Sequence, residues 1–392
     1  MTLEQAGFPI DDQQLVAFTQ ALIRCQSWNP PGDETGVAAL VAQQLEGFGL
    51  EVEIDPLGPS RHNVTGRLRG GGAGQGGLLL AGHLDTVPPG DGPWSHDPLG
   101  GRLEDGRIYG RGAADMKGGL AAMVFAAGAL ARSGLELPGN LLVAGTVGEE
   151  VDCRGAQALL EKGWLEGVGA IAIPEPTGVE LCIAHKGALW LRVETQGRAA
   201  HGARPDLGVN AILRMADVIR DMVAVEWDAP PHPLLGRPTL NVATILGGTK
   251  TNMVPDRCEL TVDIRTLPQQ SHGSVLAQLE GILRNLGSAD GEAPAVLEVL
   301  NDRAGLSTPA DHPFVETAQK VGRALWGRRM MVRGAPYYTD GSVLGPGTGL
   351  PVILLGPGEV GQAHQTDEWV STEALSQAAR FYAALAAHWL TD

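Results

Sequence analysis

Hydrophobic spacing divides the chain into two styles, and the change between them falls near Gly187. Before it, short apolar runs alternate with stretches of helical period. That period predicts helices over 11–25 and 36–48, and a small-residue helix over 117–131 able to lie close on a sheet. Residues 51–54 and 63–68 read as strands. Residues 78–81, 141–147 and 170–173 are nearly continuous apolar runs. Strands of that kind between helices predict a mostly parallel, doubly covered sheet.

After Gly187 the pattern changes. Residues 189–195 and 258–264 alternate apolar and polar positions, 239–246 is strand-like, and helical spacing covers 209–225 and 274–286. Alternation predicts an antiparallel sheet with one wet face and two helices on the other. A helix over 313–326, a strand over 352–355 and a helix over 372–390 then return to the first style. The expected fold is therefore an α/β domain made discontinuously from 1–187 and 302–392, with an α+β domain inserted over 188–301.

Composition narrows the picture. A chain of 392 residues suffices for two domains. The net charge of -16 disfavours nucleic acid and anionic membranes as partners. Cys25, Cys153, Cys182 and Cys258 are scattered without a C-x-x-C pair, which reads as reduced thiols in a cytoplasmic protein. The first residues show neither a basic nor an apolar leader pattern, and no apolar run nears the roughly 20 residues of a membrane span. Residues 72–77 fit G-x-G-x-x-G, but a strand follows instead of a helix. A loop between strands is the expectation, and a nucleotide-dependent oxidoreductase would rest on those glycines alone.

The chemistry gathers at strand ends. His83 closes the run 78–81, Glu149 and Glu150 follow 141–147, and Asp115 opens the helix over 117–131. Open α/β sheets collect functional groups outside the carboxyl ends of their strands. With Glu175 and His364, the set His83, Asp115, Glu150, Glu175 and His364 suits a dinuclear metal site. Asp115 can give one oxygen to each ion. Glu149 beside Glu150 is the natural general base. Asp85, two residues after His83, is placed to accept the second imidazole N–H and orient that ligand.

The order of these stretches resembles the M20 family of metallopeptidases, in the branch with acetylornithine deacetylase, succinyl-diaminopimelate desuccinylase, aminoacylase and glutamate carboxypeptidase. Its carriers are GHLDTVP (82–88), GRGAADMKGG (110–119), GTVGEE (145–150), PEPT (174–177), AHGARPDLGVNAI (200–212), TNMVPD (251–256), DIR (263–265), YTDG (338–341) and AHQTDEW (363–369). The resemblance covers nearly the whole chain. It implies that His83 and Glu175 share one ion, that Glu150 and His364 share the other, and that Asp115 bridges. It also implies a cis peptide after Asp115, and a lid and dimerisation role for 188–301. His201 would polarise the scissile carbonyl, a role in which charge develops in the transition state. Asn252 and Arg265 would contact substrate, Arg265 being suited to pair with a carboxylate. Thr339 and Gly341 would line the substrate side.

The expected protein is a hydrolase with two Zn²⁺, or Co²⁺ or Mn²⁺ in their place. Its expected substrate is an N-acyl amino acid, and its expected assembly a homodimer through the lid, with no nucleic-acid or membrane partner. A dipeptidase or carboxypeptidase of the same family is the alternative. An inactive metal-binding protein would have lost the base, and Glu149 is present. His62, His96, His185, His232, His272 and His312 lack a ligand-like setting.

Overall fold

The computed structural model describes residues 8–72, 76–290 and 294–391. The centre of the glycine stretch, residues 73–75, lies outside them. In chain order the elements are α1 (Asp12–Arg24), α2 (Thr35–Gly47), β1 (Glu51–Gly58), β2 (Arg61–Leu68), β3 (Gly77–His83), β4 (Arg102–Glu104), β5 (Arg107–Tyr109) and α3 (Gly118–Ala131). They continue with β6 (Leu141–Thr146), α4 (Arg154–Glu161), β7 (Val168–Ile173), β8 (Leu181–His185), β9 (Gly187–Gln196), α5 (Ala211–Val223), β10 (Thr239–Gly247), β11 (Arg257–Thr266) and α6 (His272–Asp290). The remainder are β12 (Val296–Arg303), β13 (Leu306–Ser307), α7 (Pro313–Trp326), β14 (Val332–Ala335), α8 (Gly341–Thr348), β15 (Val352–Leu354), β16 (Trp369–Ser371) and α9 (Thr372–Thr391).

The chain forms two compact units. The first takes Met1–Ile183, Ser307–Arg333 and Thr339–Asp392; the second takes Ala184–Leu306 and Gly334–Tyr338.

The sheet of the first unit runs β1-β2-β6-β3-β7-β15-β8. Its centre is parallel: β3 pairs with β6 and β7, and β7 with β15. Its flanks are antiparallel, β2 against β6 and β8 against β15. The parallel centre is made of the continuous apolar runs, and every residue of β3 and β6 is buried. Helix α3 packs on β3 and β6 beside α9 and α2, while α4 packs on β6 and against α8. Small residues allow the close approach of α3, since a Cβ on Gly119 would lie 2.1 Å from the Pro174 carbonyl oxygen. With the kinked turn before it, the stretch Ala113–Ala131 is 19 residues long with a mean hydropathy of 1.2, its apolar run interrupted by Asp115 and Lys117. It is 94% buried, as a core helix is. Register pairs His83 with Thr146 and Ile173 with Leu354, so the ends of β3, β6, β7 and β15 open on one edge.

The second unit is the antiparallel sheet β10-β11-β9-β12. Alternate residues Leu189, Leu191 and Val193 of β9 and Cys258, Leu260, Val262 and Ile264 of β11 face one core. Met215, Val218 and Met222 of α5 and Val275, Leu279 and Leu283 of α6 fill it. Each such fully buried side chain contributes about 1.5–3 kcal/mol of transfer free energy. The opposite face is ionic, with Arg192 to Glu298 and Arg257 to Glu194 both at 2.7 Å.

Candidate active site

His83 ends β3 with its side chain 1% exposed. Its Nδ1–H donates to the carbonyl oxygen of Asp85 at 2.9 Å, and the Asp85 carboxylate lies farther, at 3.5 Å. That leaves Nε2 aimed inward, 3.2 Å from Asp115 Oδ1. Asp115 sits in the turn Ala113–Lys117, and the Asp115–Met116 peptide is cis, as the resemblance implied. Its other oxygen, Oδ2, lies 3.4 Å from His364 Nε2, which is also 3.2 Å from Glu150 Oε2. The two oxygens of one carboxylate thus face two different imidazoles.

Two groups among the described residues bring ligand atoms within 4.8 Å of one another: His83, Asp115 and Glu175, and Asp115, Glu150 and His364. Glu175 follows β7 and is buried. Glu149 is 7% exposed and stands among them.

Crowding is visible in the protonation. Burial, then the neighbouring Glu175, pushes the Glu149 carboxyl well above the usual range. Burial and Asp115 do the same to Glu175. Burial works to raise Asp115 as well, but the His364 and His83 imidazoles outweigh it and hold Asp115 low. Asp115 and Glu150 push His364 up to about 10. Buried carboxylates sharing two imidazoles are a donor set that divalent cations satisfy, because the cations supply the charge the side chains lack. The mixed nitrogen and oxygen donors fit such ions.

The Asp85 carboxylate has more partners than the imidazole the sequence suggested. It accepts Asn29 Nδ2 at 2.9 Å and the N–H groups of Gly148, Glu149 and Glu150 at 3.1, 3.2 and 3.3 Å. Asp85 therefore holds the turn that carries Glu149 and Glu150, while its backbone carbonyl orients His83. Asn29 carried no sequence signal. Asp340, within the YTDG stretch but given no role by the sequence, is buried, accepts Thr146 Oγ1 at 2.6 Å and is pushed up to about 6 by burial. Thr339 has no exposure, and its hydroxyl accepts the Gly341 N–H at 3.0 Å. Both residues are buried at the start of α8, so the expected substrate-lining role has no exposed polar atom of Thr339 behind it.

His201, Asn252 and Arg265 belong to the second unit. His201 is exposed and forms an isolated bridge with Met253, next to Asn252. Its Nδ1 accepts the Ala203 N–H at 3.0 Å, which puts the ring hydrogen on Nε2. Arg265 pairs with Asp263 at 3.0 Å, and its guanidinium lies 6.0 Å from the Tyr338 ring centre.

Parallel strand ends, the turn before α3 and the loop before β16 together converge a shared carboxylate, two imidazoles and buried glutamates, the donor set of a metal-dependent hydrolase. The model of peptidase family M20/M25/M40 matches residues 79–388, and the chain belongs to that family. With it, the protein is a metal-dependent hydrolase acting on carbon–nitrogen bonds. Solved structures share the fold at low identity. The aminopeptidase PepT from Bacillus cereus is 23% identical with a TM-score of 0.79, covering 98% of this chain and 100% of that one. A tripeptidase from Staphylococcus aureus is 22% identical at 0.80, covering 98% and 100%. The YXEP protein of Bacillus subtilis, described as a dinuclear metal binding peptidase, is 17% identical at 0.76, covering 97% and 98%.

Proposed function

We propose that this chain is a dinuclear metal amidohydrolase that cleaves the amide bond of N-acyl amino acids. The observation that carries the reading is Asp115, whose two oxygens face His83 and His364 separately. His83, Asp115 and Glu175 would hold one ion, and Asp115, Glu150 and His364 the other, with Zn²⁺ suited to the set and Co²⁺ or Mn²⁺ able to replace it. When bound, such a pair polarises an amide carbonyl and acidifies water.

The protein's own groups do the rest. Glu149 takes the proton of the attacking water and passes it to the leaving nitrogen. His201 offers Nε2–H to the developing oxyanion, and Arg265 and Asn252 serve the substrate's carboxylate end. The exposed edge strand β10, with Ile245 50% and Leu246 71% exposed, supports pairing of a second copy through the second unit. Four free cysteines accord with a reducing compartment.

Cleavage of short peptides is the second reading, favoured by the PepT and tripeptidase folds named above. A panel of N-acetyl and N-succinyl amino acids, dipeptides and tripeptides, with and without chelator, separates the two. Chelator-sensitive release of amine from the acylated set supports the first reading, and from peptides alone the second. Silence on all of them with two ions bound would sink both. His201→Ala should lower kcat by about 10²–10³ if its Nε2–H meets an oxyanion. A normal kcat removes it from that role.

A further inference from the structure

Glu368 ends the loop that carries His364 and directly precedes β16. That strand pairs antiparallel with β5, Trp369 opposite Tyr109, so residue 368 falls beside Gly110, whose N–H donates to the Glu368 carbonyl at 2.9 Å. The register delivers a side chain with no exposure onto the turn that bears Asp115. Oε1 accepts the N–H groups of Ala114 and Asp115 at 2.8 and 3.0 Å. Oε2 accepts the Gly112 N–H at 2.9 Å and Arg111 Nη1 at 2.6 Å. One carboxylate is saturated by four donors, three of them from the peptide groups of a single turn.

Arg111 carries the connection back. It is 3% exposed, and its guanidinium lies 5.2 Å from the Trp94 ring centre. Its Nη2 reaches the carbonyl oxygens of Pro89 at 3.4 Å and His364 at 3.5 Å. The turn has little freedom of its own, since Gly112 has a φ of 83° and a Cβ there would lie 2.5 Å from Thr86 Cγ2. His364, by contrast, is on a loop and its side chain is 51% exposed.

We propose that Glu368 and Arg111 are a positioning pair for the triad Asp115, Glu150 and His364. The carboxylate fixes the Asp115 turn, and the guanidinium ties the backbone of His364 to that same carboxylate. Together they set how the shared aspartate and the loop histidine face one another. The other triad needs them less, because His83 and Glu175 are placed by the ends of β3 and β7. Neither residue touches substrate or a ligand atom in this role. The proposal rests on the reading that the triads hold divalent cations.

The test is a titration of metal-free wild type, Glu368→Gln and Arg111→Lys with Co²⁺ alone, followed by its visible absorption, with the thermal midpoint of each metal-free protein measured alongside. Wild type should take up two ions. Both variants should bind the second ion about 10- to 100-fold more weakly, the usual cost of losing a group that orients a ligand, and the first, which keeps His83 and Glu175, should weaken less. Arg111→Lys keeps the charge beside Glu368 and removes the fork, so it decides the matter if Glu368→Gln does not fold. Unchanged affinity for the second ion in Arg111→Lys overturns the proposal. So does an equal loss of both ions with a lowered midpoint, which is what a merely structural pair would give. A wild type that binds no pair of ions overturns the reading of the triads instead.

Discussion

The two triads that share Asp115 are built from different material. His83 and Glu175 follow central strands of a parallel sheet and are 1% and 4% exposed. Glu150 lies on a turn, and His364 on a loop with a left-handed φ of 62° and a half-exposed imidazole. The hydrogen bonds that hold the sheet also aim the first triad. The second triad depends on side-chain tethers, those of Asp85 to the Glu150 turn and of Glu368 and Arg111 to the Asp115 turn and the His364 loop. A site built this way has one position inseparable from folding and one that can be tuned or lost alone.

Glu149 stands beside both triads, and its substitution is the largest effect expected. Glu149→Gln should lower kcat by about 10²–10⁴, the range a positioned base contributes, and leave two ions bound. Metal analysis of the purified variant gives the answer. Loss of an ion together with activity would make Glu149 a ligand and break the division into two triads.

Next in size is the contrast between the histidines. His364→Ala should weaken one ion by more than about a hundredfold, exceeding the cost of losing a supporting group, and leave the thermal midpoint near wild type. His83→Ala should weaken the other ion and also destabilise the metal-free fold by about 3 kcal/mol or more, because its imidazole is fully buried with its carboxylate partner, whereas water can take the place of the half-exposed His364 ring. Calorimetry of both metal-free variants tests the difference. Equal stability losses would mean that the strand-end triad is no more part of the fold than the loop triad.

How much of this was legible follows the same line. Local hydrophobic period marks a strand and its end, so His83, Asp115, Glu149 and Glu150 stood out from their neighbours. The parallel centre of the sheet was readable for the same reason, since β3, β6 and β7 are uninterrupted apolar runs. The strands β4, β5 and β16 are three residues each, too short to show a period, and with them went the register that delivers Glu368. Asp85 was read toward the imidazole two residues away. Its carboxylate also meets peptide N–H groups on a turn remote in sequence, and no local spacing encodes that. Thr339, a polar residue within a family-like stretch, is buried with its hydroxyl on the Gly341 N–H, and no local spacing encodes that burial.

The smallest effect sharpens the account of Asp85. Asn29 is 5% exposed and held by its own N–H on the Thr86 carbonyl at 2.8 Å, so its Nδ2 is presented to Asp85 without freedom to leave. Asn29→Ala removes one of four donors from that carboxylate and leaves the three peptide N–H groups in place. The Glu149 turn should stay anchored, with kcat down about tenfold or less and KM unchanged, near the low end for a group acting through another. Asp85→Asn should cost more. An amide has one acceptor oxygen for donors that now approach two, and its NH₂ would confront either the Gly148 and Glu149 N–H groups or that of Glu150. Steady-state kinetics on both variants at equal metal content order the two. If Asn29→Ala falls as far as Asp85→Asn, the side-chain amide and not the peptide groups holds the turn, and the base is anchored from the Asn29 loop instead of from the end of β3.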